Sequence, residues 1–388
     1  MWSKRANILL LGIEGTQTLP IAETLHKAGH RVVGLYHERY GYGSNSRYVD
    51  RKIKVADFTD VAGLIEIIKA EEIDVIIPMG DFTAEFLSKN KDELSKYAKF
   101  TMPGHEIFMN AYDKNKLMRL CAEKGYPHPQ TLDLSLPHED GDIESFPYPA
   151  LIKPNITTGG RGMTLVESAE EFRQKYGGIK EKYGDCHLQQ FIPNGGRQIK
   201  VQIFVDRKND MHYGSVILKQ RYYPETGGSS CCNVTIKDDA LVEMCLSVLN
   251  DLRWEGFADF DLIEDQRDGI LKIMEINPRV PACLKSAVKS CIDYGNIMVN
   301  YALDKESPDY EYRPGAKLRH IGFEVLWFLS SKNRFKTKPN WFAWISRRLY
   351  CQDFSWADPM PFIVGTYGNI KKIFNSDVLK QKQGVKRK

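Results

Sequence analysis

The chain has 388 residues, too many for one ordinary hydrophobic core, so its length predicts two or three packed domains. Hydrophobic residues make up 42% and charged residues 27%, a composition typical of soluble globular proteins. No window holds the roughly 18 consecutive apolar residues that a membrane-spanning helix needs. The short apolar run after the N-terminus ends too early for a signal peptide. A cytoplasmic protein is therefore expected.

The formal net charge of +4 is unevenly distributed. Residues 371–388 contain seven basic residues and one acidic residue, a local charge of +6, which leaves −2 for the rest of the chain. Such a tail is usually a solvated terminus, and no nucleic-acid partner is expected. The eight cysteines lack the paired spacing of zinc sites, and free, mostly buried thiols are expected.

In the first hundred residues, short apolar runs alternate with amphipathic helices. Strands are predicted at residues 6–11, 31–36 and 73–78, with a helix at 19–28 and a second helix capped by Asp57 or Thr59. This alternation predicts a Rossmann-like parallel sheet with helices on its faces. Ligands of such sheets lie beyond the carboxyl ends of the strands, so residues 12–16 and 80–83 are candidate substrate loops. A dinucleotide-dependent oxidoreductase is an alternative, but the GxGxxG fingerprint is incomplete.

A glycine-rich loop follows an apolar strand in residues 150–163, ALIKPNITTGGRGM. The strand ends at Lys153, and the loop contains Gly159, Gly160 and Gly162. Glycines allow the backbone to approach a polyphosphate and direct amide donors at its oxygens, and a lysine adds a mobile positive charge. The alternative is an ordinary turn. No GK[ST] follows, so this is not a Walker A loop.

Acidic residues recur in residues 256–279, where an Asp-Gly turn between two apolar runs predicts a hairpin. Asp259 and Asp261 share one face of the first strand, and Glu275 and Asn277 share one face of the second. Oxygen ligands of this kind suit Mg²⁺ held together with substrate phosphates. The alternative is a solvent-facing hairpin, but the apolar neighbours of Glu275 indicate a carboxylate that needs a partner.

A third segment, residues 188–205, has a strand–turn–strand pattern that could offer backbone groups to an adenine ring. The succession of a lysine, a strand–lysine–glycine loop, a linker strand and an acidic hairpin with Glu-x-Asn-x-Arg resembles the ATP-grasp superfamily. Its carbamoyl-phosphate-synthase-like branch, which includes amino-acid and peptide ligases, is the most similar. The most specific strings are TTGGRGM and MEINPRV, and the resemblance covers about residues 1–300.

The resemblance implies roles for individual residues. Lys114 would reach the α-phosphate, Lys153 would bridge the α- and β-phosphates, and the glycine loop would close over the β- and γ-phosphates. The implied ATP-binding set is Lys114, Lys153, Thr158, Gly159, Gly160, Gly162, Gln189, Gln190, Phe191 and Ile192, the last four forming the adenine hinge. Asp259, Glu275 and Asn277 match the ligands of Mg²⁺, or of Mn²⁺ in its place. Arg279 matches the arginine that steadies the γ-phosphate or an acyl phosphate.

Three positions differ from the family pattern or are ambiguous. Gln189 stands where the hinge usually begins with glutamate, and Lys200 lies near the usual ribose-binding glutamate. The ADF string favours Asp259 as the metal ligand, with Asp261 two residues away as the alternative. Lys219 and Arg221, expected on one face of a strand, would stabilise the charge of an acyl phosphate. Their alternative role is a solvated basic strand edge.

The resemblance implies an ATP-dependent carboxylate–amine ligase, or carboxylate–thiol ligase, that works through an acyl phosphate on an amino acid or small carboxylate. One alternative is a non-catalytic ATP-binding regulatory protein on the same scaffold. Another follows from residues 322–374, where tryptophans alternate with lysines and arginines: a ligase peripheral to the membrane that modifies a cell-envelope polysaccharide intermediate. The favoured interpretation of that segment is a C-terminal cap. A homodimer is a further expectation.

The predicted architecture is α/β and α+β. A Rossmann-like pre-ATP-grasp domain is expected at residues 1–110, followed by a two-lobed ATP-grasp fold and an aromatic, basic extension. The small lobe is predicted at 111–186, the large lobe with the metal site at 187–320, and the extension at 321–388.

Overall fold

The N-terminal part of the chain forms a parallel sheet. A computed structural model of the protein describes residues 5–157, 159–225, 228–306 and 308–373. In its N-terminal part the four described strands are parallel, in the order β3-β2-β1-β4, which confirms the predicted Rossmann-like sheet. The elements are β1 (Asn7–Leu11), α1 (Thr18–Lys27), β2 (Arg31–Tyr36), β3 (Arg51–Lys54), α2 (Val61–Ala70), β4 (Val75–Pro78), α3 (Asp81–Lys89), α4 (Lys91–Leu94) and α5 (His105–Tyr112).

The helix cap predicted at Asp57 or Thr59 is wrong by a few residues. The carboxylate of Asp60 accepts a hydrogen bond from the backbone N–H of Gly63 at 3.0 Å and begins α2. Asp57 instead accepts hydrogen bonds from the backbone N–H and the hydroxyl of Thr59 in a local turn. Asp57, Thr59 and Asp60 are all residue types that cap helices, so the residue types alone did not identify the capping one.

A smaller antiparallel sheet follows, in the order β5-β8-β6-β7. Its strands enclose a core of their own around Ile152, Leu188 and Phe172. The elements are α6 (Lys114–Lys124), β5 (Thr131–Asp133), α7 (Asp140–Glu144), β6 (Ala150–Pro154), β7 (Thr164–Val166), α8 (Ala169–Tyr183) and β8 (Cys186–Gln190). The border predicted between residues 186 and 187 therefore falls after the first residue of β8, inside this sheet.

The third sheet has the order β13-β12-β9-β10-β11-β14-β15 in the described residues. It contains the predicted hairpin, β12 with β13, joined by the Asp-Gly turn. The elements up to the predicted extension are β9 (Gln198–Asp206), β10 (Met211–Tyr223), β11 (Ser229–Ile236), α9 (Asp239–Asp251), β12 (Gly256–Asp265), β13 (Ile270–Asn277), α10 (Lys285–Val288), α11 (Tyr294–Ala302) and β14 (Lys317–Arg319).

The C-terminal segment continues this third sheet. It contains α12 (Ile321–Ser330), β15 (Leu349–Cys351) and α13 (Met360–Ile373). β15 pairs in parallel with β14, which itself pairs with β11, so the expected extension adds a strand to the large lobe. None of the helices in the described ranges is both long and apolar enough to cross a bilayer.

Two hydrophobic clusters join the N-terminal sheet to the large lobe. Leu9 and Leu11 pack on one face of the first sheet in the same cluster as Trp254 and Phe260. Ile8, on the other face, belongs to a cluster that includes Phe257 and Tyr294. The N-terminal domain and the large lobe therefore fold against each other, whereas the small lobe has a separate core.

A buried ion cluster fixes the C-terminal segment on the large sheet. Glu324 of α12 is fully buried and lies 2.8 Å from Nη2 of Arg221 and 3.6 Å from Nε of Arg319. Arg221 also donates to the backbone oxygen of Pro339 at 2.5 Å, and Arg319 donates to that of Trp341 at 2.8 Å. Burial raises the pKa of Glu324 against the opposing effect of the two arginines.

We expect Glu324→Ala to lower the free energy of unfolding by about 3–5 kcal/mol, because it leaves two buried guanidinium groups without a counter-charge. The measurement is the urea midpoint of the full chain. Glu311→Ala is the matched control: Glu311 pairs with Arg313 at the surface, and its loss should leave the midpoint unchanged. Equal midpoints for both variants would contradict the role given to the cluster.

Candidate functional site

Lys114 joins the glycine loop to the acidic hairpin. Asp113 caps α6 by accepting hydrogen bonds from the backbone N–H groups of Asn115 and Lys116, which fixes Lys114 at the first helical position. The ammonium group of Lys114 donates to the backbone oxygen of Thr157 at 2.8 Å and lies 3.5 Å from the carboxylate of Glu275. The loop after Lys153 and the strand of Glu275 thus face each other across one gap.

Lys153 projects from β6 beside the first hinge residue. Its strand pairs with β8, where Gln189 stands opposite Leu151, and the ammonium of Lys153 donates to the side-chain oxygen of Gln189. Both side chains are buried. Gln189 therefore holds the lysine in place, an interaction available to a neutral amide as well as to the glutamate of the family pattern.

The remaining hinge residues, Gln190, Phe191 and Ile192, run from the end of β8 into the following turn. The backbone N–H groups of Gln190 and Phe191 donate to the carbonyls of Gln130 and Pro149, at 2.8 and 3.0 Å. The hinge is thereby tied to the small lobe, and Ile192 is buried at its end.

The glycines of the loop are required by its backbone. Gly159, Gly160 and Gly162 have φ angles of +67°, +72° and +72°, a region that favours glycine. A Cβ atom on Gly162 would also lie 2.8 Å from atoms of Pro154 and Tyr183. Thr158, the remaining predicted loop residue, lies outside the described residues.

The hairpin brings four oxygen-bearing side chains together. In its register Asp261 stands opposite Glu275, and Asp259 stands opposite Asn277. The amide of Asn277 donates to Asp261 at 3.1 Å. The ammonium of Lys200, on the neighbouring strand β9, lies 2.6 Å from Asp259 and 2.7 Å from Asp261.

Lysines balance the charge of the two aspartates. Lys219 lies 2.9 Å from the second oxygen of Asp261. Burial opposes ionisation of both acids, but Lys200 and Lys219 outweigh it at Asp261 and hold the pKa of that carboxyl well below its usual range. At Asp259 burial prevails and raises the pKa to about 6. The two aspartates outweigh burial at Lys200 and raise its pKa.

Arg279 contacts the second candidate substrate loop, residues 80–83. It follows the end of β13, and its Nε lies 3.1 Å from a carboxylate oxygen of Asp81, the first residue of α3. Its Nη2 contacts the side-chain oxygen of Asn277 at 3.5 Å. The N-terminal domain therefore contacts the end of the hairpin through Asp81, which lies in the candidate loop 80–83.

Comparison with known proteins gives the family. The family model described as carbamoyl-phosphate synthase L chain, ATP binding domain matches residues 113–303. A formate-dependent phosphoribosylglycinamide formyltransferase from Ignicoccus hospitalis is 30% identical over 296 residues, which cover 71% of this chain and 70% of that protein. The chain belongs to the ATP-grasp superfamily.

One further relative is similar in sequence, and two solved structures are similar in fold. D-aspartate ligase from Enterococcus faecium is 27% identical over 226 residues, and the match spans 53% of each protein, about half of that ligase. The structure of a biotin carboxylase–ATP complex from Campylobacter jejuni aligns with a TM-score of 0.66 at 18% identity, over 79% of this chain and 73% of that one. An L-amino acid ligase from Bacillus licheniformis aligns with a TM-score of 0.62 at 18% identity, over 81% and 79%.

The donor set fits the magnesium ion that ATP-grasp proteins use with their nucleotide. Asp261, Glu275 and Asn277 offer hard oxygen ligands at one place, and a second oxygen of Asp259 is buried there without a hydrogen-bond partner. Within the described ranges no three His, Cys, Asp or Glu side chains are close enough to hold a metal by themselves. In proteins Mg²⁺ is usually held by one or two carboxylates together with substrate phosphates and water.

The expectation for Arg221 was wrong. The pairing of β10 with β11 shifts between Lys219, opposite Asn233, and Arg221, opposite Cys232. This β-bulge inserts one residue, so the two cations, separated by two positions, point to opposite faces of the sheet. Lys219 reaches Asp261 in the site, whereas Arg221 binds Glu324 beneath α12.

Lys200 is a site residue that the sequence did not predict, and the contact of Asp81 with Arg279 was not predicted either, although residues 80–83 were a candidate loop. Lys200 was noted only as a departure from the family pattern. Gln198, Lys200 and Gln202 alternate with apolar residues, a period-two pattern that places them on one face of β9. That alternation was the available signal for Lys200. Asp81 carries no comparable pattern, because its contact with Arg279 joins residues about two hundred positions apart.

We expect Lys200→Met to lower the free energy of unfolding by about 3 kcal/mol at neutral pH, since two buried carboxylates lose their shared cation. Lys219 still faces Asp261 in this variant, but Asp259 loses its close cation, and burial then raises its folded-state pKa further above the unfolded value. The destabilisation should grow as pH rises through this raised pKa and shrink toward about pH 5, where Asp259 takes up a proton.

The measurement is urea unfolding of the full chain at about pH 5 and about pH 8. Lys237→Met, which removes an exposed lysine, is the matched control and should show no pH-dependent difference from the wild type. A Lys200→Met loss of the same size at both pH values would contradict the proposed charge balance.

Proposed function

We propose that this protein is an ATP-dependent carboxylate–amine ligase that activates a carboxylate as an acyl phosphate. The observation that carries the proposal is the position of Lys114, whose ammonium contacts both the glycine loop at Thr157 and the hairpin at Glu275. A nucleotide bound there would have its phosphates between donors on one side and oxygen ligands on the other. The D-aspartate ligase and L-amino acid ligase relatives support this class of reaction.

The proposed ATP site uses the predicted set. Lys114 and Lys153 would bind the α- and β-phosphates, the glycine loop with Thr158, Gly159, Gly160 and Gly162 would cover the β- and γ-phosphates, and residues 189–192 would hold adenine. Lys153 would exchange its bond to Gln189 for a phosphate oxygen. Lys114 already contacts both sides of the gap, which reduces the entropy lost on binding.

For the metal we propose Asp261, Glu275 and Asn277. The register favours Asp261 over Asp259 because it places Asp261 opposite Glu275 and leaves its side chain partly accessible, whereas Asp259 is completely buried. Asp259 then serves as the buried counter-charge of Lys200. When bound, Mg²⁺ would neutralise phosphate charge; the chain's own residues position the reactants.

Arg279 and Lys219 are the proposed cations for the reacting groups. Lys219 sits beside Asp261, and Arg279 uses Asp81 as its anion in the described structure. A substrate carboxylate has the same charge and geometry as Asp81 and could be accepted by the free guanidinium edge of Arg279. These fixed cations would stabilise charge that develops on the transferring phosphoryl group.

The proposed chemistry has two steps. A carboxylate oxygen of the substrate attacks the γ-phosphorus of ATP, and the bond to the β-γ bridging oxygen breaks to release ADP. An amine nitrogen then attacks the acyl carbon, the carbon–oxygen bond to phosphate breaks, and the nitrogen loses a proton. Amide, ADP and phosphate are the products. A thiol acceptor would give a thioester by the same steps, and the carboxylate class proposed is an amino acid or a small carboxylic acid.

Location and assembly remain proposals as well. We propose a cytoplasmic enzyme, because the reaction consumes ATP and the cysteines are free thiols. One structural neighbour, a biotin carboxylase domain from Hydrogenobacter thermophilus, is described as a dimer, and a homodimer is proposed here by analogy. The non-catalytic ATP-binding alternative shares the scaffold, but it gives no account of Lys219 and Arg279 beside the metal ligands.

We expect ADP release by the full chain with ATP, Mg²⁺ and one carboxylate–amine pair from a panel that begins with amino acids. Lys153→Ala and Glu275→Ala should each lower kcat/KM by roughly 10²–10³-fold, because each removes charge stabilisation in the phosphate region. Glu264→Ala is a matched control on the same hairpin; Glu264 pairs with Arg197 and should leave the rate unchanged. ATP binding without ADP release for any pair would favour the regulatory alternative.

We expect the two aspartates to behave differently. Asp261→Asn should raise the Mg²⁺ concentration for half-maximal rate by about tenfold or more, since a metal-bound carboxylate is lost. Asp259→Asn should leave that concentration nearly unchanged and lower the urea midpoint, because Lys200 loses a buried partner. The reverse assignment, with Mg²⁺ dependence moved by Asp259→Asn alone, would show that Asp259 is the ligand.

A further inference from the structure

We infer that residues 325–348 form a surface that binds anionic phospholipid bilayers. The inference does not depend on the ligase activity, since this segment lies on α12 and the chain after it, on the face of the large sheet opposite Lys219. Several side chains there are large, apolar and exposed: Val325, Leu329, Phe335, Phe342 and Ile345. We call this set the apolar patch.

The apolar patch protrudes from the surface. Phe335 is 70% exposed and Ile345 is 99% exposed, so most of each side chain lies in solvent. The rings of Phe335 and Phe342 lie 6.3 Å apart, and each is within 5.7 Å of the ring of Phe328. Contiguous exposed aromatic surface of this kind marks an interaction site.

The C-terminal cap predicted from the sequence accounts for only part of the segment. Trp327 is buried. The guanidinium carbon of Arg319 lies over the ring of Trp344, 4.5 Å from the ring centroid. The segment is attached through both backbone and side chains: Arg221 and Arg319 bind the carbonyls of residues 339–341, and the indole of Trp341 donates to the backbone oxygen of Glu324 at 3.1 Å. These contacts hold the chain in place while Phe335, Phe342 and Ile345 remain exposed.

The charge around the patch selects the partner. From residue 325 to residue 352 the sequence contains six basic residues and no acidic one. Lys332, Lys336, Lys338 and Arg347 are exposed, and Arg334 lies over the ring of Phe328. Exposed aromatic and aliphatic side chains surrounded by cations match the interface of an anionic bilayer, where apolar groups enter the headgroup boundary and cations stay among the phosphates.

A second copy of this chain is a less suitable partner. A twofold contact would bring the same uncompensated cations of both copies together, and like charges at an interface oppose association. The anionic bilayer supplies the missing negative charge.

The test is co-sedimentation of the full chain with vesicles of phosphatidylcholine alone and with vesicles containing about 30% phosphatidylglycerol. We expect binding to the anionic vesicles only, weakening as salt is raised. The triple variant Phe335→Ser, Phe342→Ser, Ile345→Ser should bind at least about tenfold more weakly. The triple variant Lys336→Glu, Lys338→Glu, Arg347→Glu should lose about a hundredfold, at roughly fivefold for each cation.

Matched controls separate the patch from general stickiness. Leu136→Ser with Ile270→Ser removes exposed apolar side chains elsewhere, and Lys180→Glu with Lys182→Glu reverses exposed cations on α8. Both pairs should bind vesicles like the wild type. Unchanged binding of the apolar triple variant would overturn the inference, as would equal binding to both vesicle types.

The apolar triple variant also tests whether a second copy of this chain, and not a bilayer, covers the apolar patch. Sedimentation velocity of the wild type and the apolar triple variant, without lipid, measures self-association. A wild-type dimer that the triple variant abolishes, together with no vesicle binding by the wild type, would replace the bilayer with a copy of this chain. A monomer that binds anionic vesicles supports the inference.

Discussion

The ammonium group of Lys114 lies where the three parts of the chain meet. Its helix follows α5 of the N-terminal domain directly, and its side chain spans from a backbone oxygen of the small lobe to a carboxylate of the large lobe. The small lobe has its own core, whereas the other two parts share theirs. Polar contacts such as this one therefore set the position of the glycine loop over the hairpin, and a nucleotide would take over the same role with its phosphates.

The carboxylates of the site are balanced by cations of the chain itself. Four carboxylates, Asp81, Asp259, Asp261 and Glu275, each lie beside a lysine or arginine. An unpaired charge in such a place would be costly, and each of these acids has a cation that offsets it. On the proposed function, binding would exchange partners: phosphate would replace carboxylate beside a cation, and metal would replace ammonium beside a carboxylate. Such an exchange avoids isolating any charge.

Much of the fold and part of the site followed from local patterns. The apolar runs of β1, β2 and β4, the hairpin of β12 and β13, and the positive-φ glycines were readable because each depends on residues close in sequence. The family resemblance placed Lys114 and Glu275 in one nucleotide site, but their direct contact was not predicted. Lys200 was visible as a polar position on an alternating strand, but its two aspartate partners depend on the register of β9 with β12. Register between distant strands is not encoded in either strand alone.

The bulge in β10 places Lys219 and Arg221 on opposite faces of the sheet. Strict alternation would place Lys219 and Arg221 on the same face and predict two cations in the site. Because of the extra residue, the side chain of Arg221 lies on the opposite face, where it forms a buried cluster with Glu324 and Arg319. Arg221 and Arg319 of that cluster donate to the backbone oxygens of residues 339–341, and the indole of Trp341 donates to the backbone oxygen of Glu324. The sheet can therefore present a polar site on one face and a fixed apolar patch on the other, because none of these hydrogen bonds involves the side chains of the patch.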